Sequence, residues 1–308
     1  MKKRTINLVL DKKFHDFTQS IKDEKVRKLV IQNSLISGGC IASMLLKEPV
    51  NDYDIYFLNK ETALAVANYY APLFTKARST VVDVDSLDDT DKKFYEEHGI
   101  SGSGRVAIYC EANQQTPDSD VTMDDVEELT GVILQESKEQ DDDNNKYKPL
   151  YLSPNAISLS HKVQLILRFY GTPEEIHSNY DYVHATNYWT LGGGLKLNQN
   201  ALEAILAKEL IYIGSKYPLA SILRCKKFLL RGWTINAGQQ LKIMYQISKL
   251  DLDNVSTLED QLVGVDVAYF MHLITALRSH IKATQEKNIL FTLSYEYLAE
   301  IIDRVFNR

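Results

Sequence analysis

The sequence predicts an α+β fold, with a mixed β-sheet in the first part of the chain and helices alone after it. Strand-like and helix-like segments alternate up to about residue 190. Three consecutive glycines at 192–194 then interrupt the pattern, and the segments that follow have the spacing of amphipathic helices. We therefore divide the 308 residues into a mixed domain at 1–192 and a helical domain at 193–308.

The composition is that of an ordinary globular protein, with 44% hydrophobic and 25% charged residues. The net charge of −6 excludes a polycation that coats nucleic acid. Charged residues interrupt the N-terminal apolar run, which is not typical of a signal peptide, and no apolar stretch approaches the ~20 residues of a membrane span. The three cysteines are dispersed, which predicts reduced thiols. We expect a cytosolic protein with no membrane partner.

The first half of the mixed domain contains alternating regular segments. They are a helix at 23–33, a short helix at 40–47, a strand at 51–59, a helix at 60–74 and a strand at 79–86. Between about 86 and 148 a strand is predicted within 101–112, and the rest is polar and strongly acidic, which predicts a solvated insertion. Such acidic runs are usually just soluble surface.

The regular pattern resumes after the insertion. Strands are predicted at 155–160, 163–171 and 180–189, with a short helix at 172–179 between the last two. In the helical domain we predict helices at 198–214, 218–232, 237–250, 265–283 and 293–306.

The first candidate feature for chemistry is Ser37-Gly38-Gly39, which stands at the start of a predicted helix. Two glycines let the backbone approach a phosphate closely, and a helix N-terminus offers unpaired N–H groups. Ser37 or Ser43 could add a hydroxyl donor. The alternative is a tight turn that binds nothing, and it is the commoner use of such a pair.

The second feature is Asp52-Tyr53-Asp54-Ile55 on a predicted strand. Because side chains alternate along a strand, Asp52 and Asp54 project from one face while Tyr53 and Ile55 face the core. Adjacent like charges are best tolerated when a cation lies between them, and carboxylate oxygens suit Mg²⁺. The alternative is a strand edge with two solvated acids.

The third feature is Asp181, a lone carboxylate between Tyr180 and Tyr182 at the start of a predicted strand. An isolated aspartate at a strand end is usually a cap or turn residue. Its functional interpretation depends on the other two features.

Together, SGG at 37–39, DYDI at 52–55 and YDY at 180–182 resemble the signature of the DNA polymerase β-type nucleotidyltransferase superfamily. The resemblance implies a palm-like mixed sheet and two divalent metal ions, Mg²⁺ or Mn²⁺. It also implies in-line attack on the α-phosphate of a nucleoside triphosphate. Asp52 and Asp54 would bind both metals, and Asp181 would hold the catalytic metal and help to deprotonate the attacking hydroxyl. This assignment agrees with general two-metal chemistry.

The helical half is similar to that of poly(A) polymerases and CCA-adding enzymes. Residues 216–235 resemble their Pro-x-Arg-x-x-Arg-like helix, with Arg224 and Lys227 in the basic positions and thus as expected ligands of the triphosphate. The chain lacks an Arg-Arg-Asp run after Asp181 and a Glu-Asp-x-x-Arg motif, so the preferred base and a tRNA acceptor are not predicted. The arrangement also resembles nucleotidyltransferase-like proteins of large bacteriophages.

Arg224, Lys227 and Arg231 share one face of their predicted helix, since they are three and four residues apart. This basic face would border the triphosphate or a nucleic-acid acceptor. The alternative is a solvated helix face.

Three functional hypotheses follow. The first is transfer of a nucleoside monophosphate to a hydroxyl acceptor, above all an RNA 3′ end. The second is transfer to a protein or small-molecule hydroxyl, as in toxin-like and antibiotic-modifying relatives. The third is a catalytically inactive binding protein that keeps the fold. The basic helix favours the first hypothesis, whereas the overall acidity and the missing tRNA-enzyme motifs favour the second. The presence of all three carboxylates argues against the third.

Overall fold

The computed structural model describes residues 1–98, 100–110 and 146–252, together with residues 257, 261 and 299. Its helices are α1 (Lys3–Ser20), α2 (Glu24–Gln32), α3 (Gly39–Leu46), α4 (Lys60–Tyr70), α5 (Asp89–Glu97), α6 (Pro173–His177), α7 (Gln199–Ala207), α8 (Pro218–Leu229) and α9 (Ala237–Ile247). Its strands are β1 (Ser34–Ser37), β2 (Tyr53–Phe57), β3 (Ser79–Asp83), β4 (Val106–Cys110), β5 (Pro149–Leu152), β6 (Ala156–Leu159), β7 (Val163–Tyr170), β8 (Tyr188–Thr190) and β9 (Gly194–Lys196).

A mixed sheet is the centre of the described part of the chain. Seven strands follow the order β5-β6-β7-β2-β1-β8-β9, and β3 pairs with β4 in a separate two-stranded sheet. Neighbouring strands are antiparallel except β2 and β7, which run parallel. Helices α7, α8 and α9 follow the sheet in the chain. The predicted fold class, α+β with a mixed sheet followed by helices, is confirmed.

The two faces of the sheet have different surroundings. On one face, Ile55 and Phe57 of β2 are buried in the main hydrophobic core together with Val163, Leu165 and Leu167 of β7. Helix α1 contributes to the same core through apolar residues at helical spacing, and the ring of its Phe14 lies 5.3 Å from that of Trp189. The opposite face bears the polar side chains of β2 and β7, and it is free to form a site.

The strand predicted at 180–189 is wrong for most of its length, since only Tyr188–Thr190 is a strand there. Val183–Ala185 forms a 3-10 turn, which closes because Thr186 donates to the Val183 carbonyl through its N–H at 3.0 Å and through its hydroxyl at 2.7 Å. Asp181 therefore lies in a loop, and Tyr182 forms only an isolated bridge with Tyr212.

The helix predicted at 198–214 ends at Ala207, because Lys208 adopts a left-handed conformation that terminates it. The glycines at 192–194 lie at the hairpin between β8 and β9, so the sheet extends to Lys196, four residues beyond the predicted boundary. Within the predicted insertion, α5 and β4 are described, whereas 111–145 lies outside the described residues. The helices predicted at 265–283 and 293–306 also lie outside them, apart from residue 299. No helix of the described ranges is long and apolar enough to cross a membrane.

Candidate active site

A cavity of about 380 Å³ lies between the polar face of the sheet, the N-terminal end of α3 and helix α8. It brings together predicted site residues from four separate parts of the chain. Those that line it are Gly38, Gly39, Ser43, Asp52, Asp54, Asp181, Arg224 and Lys227. The volume is in the range of small-molecule binding sites. The functional roles assigned to these residues remain predictions.

Gly38 lies in direct contact with the carboxylate of Asp54. Its φ of 91° is in the region that favours glycine, and a Cβ added there would lie 2.7 Å from Asp54 Oδ2. The missing side chain therefore lets the backbone at the start of α3 approach the carboxylate. At Gly39, by contrast, an added Cβ would meet no atom within 4 Å.

We expect Gly38→Ala to disturb the cavity and Gly39→Ala to leave it nearly unchanged. The first substitution strains the backbone, at roughly 1–3 kcal/mol, and also requires the Asp54 carboxylate to move. The second adds a methyl group where nothing obstructs it and favours the helix. Thermal melting would measure stability, and titration with a nucleoside triphosphate and Mg²⁺ would measure the affinity of the cavity for nucleotide. Equal behaviour of the two variants would contradict the close approach at Gly38.

Asp54 lies on β2, and Asp52 comes directly before the strand. The predicted alternation is confirmed, since both aspartates line the cavity while Tyr53 packs against the core. The buried thiol of Cys40 lies close enough to both carboxylates for their charges to affect its pKa. Burial, and then the charges of Asp54 and Asp52, raise the pKa of this thiol well above its ordinary value. Negative potential is thus concentrated where α3 meets β2.

Ser37 is not among the cavity residues, although it was a predicted phosphate ligand. It pairs with Asp54 across the strands, but its side chain is fully buried. The hydroxyl donates to the Asn187 carbonyl at 2.9 Å and lies 2.9 Å from His177 Nε2. Ser37 thus has interior hydrogen-bond partners, whereas Ser43 does line the cavity.

Asp181 and Arg224 form an ion pair, with 2.6 Å between Arg224 Nη1 and Asp181 Oδ2. The other carboxylate oxygen accepts the N–H of Tyr182 at 3.0 Å. Burial works to lower the pKa of Arg224, but the charge of Asp181 and its hydrogen bond outweigh this, and the pKa is raised above its ordinary value. Arg224 is therefore always charged here, and both oxygens of Asp181 have a partner.

The predicted basic face does border the cavity, since Arg224, Lys227 and Arg231 all line it. Arg231 lies just beyond the end of α8 and bonds to the carboxylate of Glu48. Lys208 reaches the same carboxylate at 3.6 Å. The side chain of Glu48 thus neutralises part of the positive charge at this end, and its own pKa is lowered, chiefly by the hydrogen bond to Arg231.

The structure adds cavity residues that the sequence interpretation missed. On β7, Gln164, Ile166 and Arg168 face the cavity, and Gln164 lies beside Asp54 in the parallel register. Tyr56 and the buried His184 also line it. Burial lowers the pKa of His184 to about 4, so its ring is neutral at pH 7. The alternation of Val163, Leu165 and Leu167 with Gln164 and Arg168 was the available signal, because it places the polar residues of β7 on one face.

The carboxylates of the cavity offer oxygen ligands for a divalent metal ion. In the described ranges, no group of three or more His, Cys, Asp or Glu side chains is arranged to hold a metal ion. Asp52 and Asp54 supply the hard oxygen donors that Mg²⁺ or Mn²⁺ prefers, and Mg²⁺ needs only one or two protein carboxylates when substrate phosphates complete its shell. The pair fits such an ion, whereas Asp181 is engaged by Arg224.

Solved structures of CCA-adding enzymes are similar to the chain over most of its length. The Bacillus stearothermophilus enzyme in complex with CTP has a TM-score of 0.39 and 12% identity, covering 86% of this chain and 52% of that one. The Thermotoga maritima enzyme complexed with tRNA has a TM-score of 0.38 and 10% identity, covering 93% and 68%. The chain thus spans about half the length of the first of these enzymes. With TM-scores this low, no argument about function rests on the similarity. Among proteins of curated function, none matches the chain.

Fold and site together define an α+β protein whose mixed sheet carries a cavity with paired carboxylates under a basic helix. Residues 8–208 match the family described as Gabija anti-defense 2 family protein, and the chain belongs to this family.

Proposed function

We propose that the protein is a nucleotidyltransferase that moves a nucleoside monophosphate from a nucleoside triphosphate to a hydroxyl acceptor. The observation that carries the proposal is the meeting of a glycine-led helix start, paired carboxylates and basic side chains in one cavity. A triphosphate requires all three, because its oxygens need cationic and N–H partners while its reacting phosphorus needs metal ions close by.

The triphosphate is proposed to lie between the start of α3 and the basic face. Gly39 leaves room for phosphate oxygens, since an added Cβ there would meet no atom within 4 Å, and Ser43 can donate a hydroxyl. Arg224 and Lys227 of α8 line the same cavity. Anionic charge held by N–H groups and by these cations would fix the α-phosphate next to the carboxylates.

Asp52 and Asp54 are the proposed ligands of the divalent ions. When bound, Mg²⁺ or Mn²⁺ would supply positive charge to the phosphate oxygens as negative charge develops there. Cys40 is not a competing ligand, because Mg²⁺ and Mn²⁺ prefer oxygen ligands to sulfur. The acceptor hydroxyl would approach from the open side of the same cavity.

Asp181 is the third carboxylate of the proposal, and its present partner is Arg224. For Asp181 to bind a metal or accept a proton from the acceptor, Arg224 must give up its bond to Oδ2. Arg224 is itself a proposed triphosphate ligand, so a bound triphosphate offers the guanidinium another anionic partner. We infer that Arg224 releases Asp181 and binds the triphosphate when the nucleotide enters.

An RNA 3′ end is the first acceptor that we propose, because the basic face would attract a polyanion. The second acceptor class is a protein hydroxyl, and we propose a component of the Gabija defence as its source, since the family name refers to that defence. Both acceptors require the same nucleotide site, and a small-molecule hydroxyl would also use it.

The test is to incubate the protein with each α-³²P-labelled nucleoside triphosphate, Mg²⁺ or Mn²⁺, and a cell extract. We expect label that ribonuclease removes if the acceptor is RNA, and label that protease removes if it is protein. Chromatography of the small-molecule fraction covers the remaining class. The variant Asp52→Asn/Asp54→Asn is the control and should transfer nothing.

Absence of transfer with every nucleotide would reject the enzymatic proposal. If the protein then still bound nucleoside triphosphates, the catalytically inactive binding protein would become the better description. Label transferred equally by wild type and by the doubly substituted control would point to a contaminating enzyme and would also count against the proposal.

A further inference from the structure

The cavity has two ends that differ in chemistry. At one end, the start of α3 meets Asp54, and Gln164 of β7 lies beside it. Arg168 comes four residues later in the chain, within the stretch where the register of β7 against β2 shifts. Helix α8 spans both ends, since Tyr217 precedes its first turn beside Arg168 and Arg231 follows its last turn beside Ser43.

The distant end combines a planar cation with an aromatic ring. Arg168 Nε donates to the hydroxyl of Tyr217 at 3.3 Å, and the Arg168 guanidinium carbon lies 5.5 Å from the ring centroid of Phe169. Lys216 Nζ also lies 5.5 Å from this centroid. Arg168, Phe169 and Tyr217 all line the cavity, and no carboxylate among the described residues pairs with Arg168.

We propose that Arg168, Phe169 and Tyr217 form the nucleobase-binding end of the cavity, an inference that rests on the proposed nucleotide function. The glycines and the cations that we propose as phosphate ligands lie at the opposite end. An aromatic ring offers nothing to a phosphate, whereas it stacks on the face of any base. A guanidinium plane stacks in the same way and can also bond to the edge of a base.

The hydrogen-bonding capacity of Arg168 defines which base fits best. An arginine side chain has donors only, and Nε already has an acceptor in Tyr217. The two terminal nitrogens of Arg168 can therefore both donate to a base edge that has two adjacent acceptors. Guanine presents O6 and N7 side by side, while adenine places an amino donor next to N7. The geometry thus favours a guanine nucleotide over an adenine nucleotide.

The test compares ligands with and without a base. Calorimetry would measure binding of the α,β-methylene analogues of GTP and ATP, and of inorganic tripolyphosphate, each with Mg²⁺. We expect the wild type to prefer the guanine analogue. Phe169→Leu should weaken binding of both analogues about tenfold by removing the stacking surface. Arg168→Gln should lower the ratio of the affinities for the guanine and adenine analogues about tenfold.

Tripolyphosphate binding should be unchanged in both variants, because this ligand has no base. Arg4→Gln is the matched control for charge, since Arg4 is exposed on α1 outside the cavity. If both variants weakened tripolyphosphate as much as the nucleotides, this end would be a phosphate site and the inference would be overturned. Equal wild-type affinity for tripolyphosphate and both nucleotides would overturn it too, while leaving the nucleotide function intact. A wild type that binds none of the three ligands would instead reject the proposed function itself.

Discussion

Replacing Asp54 by asparagine should abolish nucleotide transfer while leaving the protein folded. Asparagine keeps the volume of the side chain but removes the charge that is proposed to hold the cations. Losing charge stabilisation of this kind commonly lowers a rate by a factor of at least ~100. Single-turnover assays with the labelled nucleotide that the wild type uses best would measure the loss.

The stability of this variant provides a second measurement. Asp52 and Asp54 line one cavity, and like charges in one site oppose folding when no metal is bound. Asp54→Asn should therefore melt no lower than wild type in EDTA. It should also lose the stabilisation that wild type gains from Mg²⁺ and nucleotide. Asp11→Asn is the matched control, because Asp11 is exposed on α1. Wild-type activity in Asp54→Asn, or simple unfolding, would contradict a catalytic role.

Replacing Arg224 by glutamine should weaken nucleotide binding and lower the stability of the ligand-free protein. The side chain of Asp181 is only 11% exposed, so removal of Arg224 leaves a mostly buried carboxylate without its cation. Because the side chain of Arg224 is itself 31% exposed, we expect a loss of about 2 kcal/mol rather than the larger cost of a fully buried pair. Denaturant unfolding and nucleotide titration would measure the two effects.

A double-mutant cycle separates the ion pair from other effects of Arg224. If the pair accounts for the loss of stability, Asp181→Asn/Arg224→Gln should be more stable than Arg224→Gln alone, because the buried charge is gone. Nucleotide binding should not recover, since Arg224 is still missing. Additive stability changes in the cycle would show that the two side chains act independently, against the structure.

Local sequence patterns were enough to locate the paired aspartates. The alternation around Asp52 and Asp54 predicts one shared face, and the structure confirms it, because a period of two depends only on the strand itself. The spacing of Arg224 and Lys227 was enough for the same reason within α8, whereas Arg231 lines the cavity from just beyond the end of this helix. Both predictions required only that each segment keep its regular backbone.

Features that depend on distant partners could not be predicted in this way. Arg168 and Gln164 belong to the cavity because β7 pairs with β2, a pairing between segments about a hundred residues apart. Ser37 lies opposite Asp54 in the sheet, but its hydroxyl forms a hydrogen bond with His177 of a helix that is remote in the sequence. Asp181 lies in a loop, because the residues after it close a 3-10 turn that the pattern of tyrosines does not reveal.

The parallel pairing of β2 with β7 has a consequence for the order of events during translation. When a ribosome has released residues up to 150, the segment that becomes β2 has emerged together with β1, but neither β7 nor α8 exists outside the tunnel. One edge of β2 would then lack its partner, and an unpaired edge invites wrong pairing. The cavity around Asp54 would be complete only after Gln164, and later Arg224, had emerged from the ribosome. Binding of a nucleotide by the nascent chain should therefore begin only after residues 218–231 have left the ribosome.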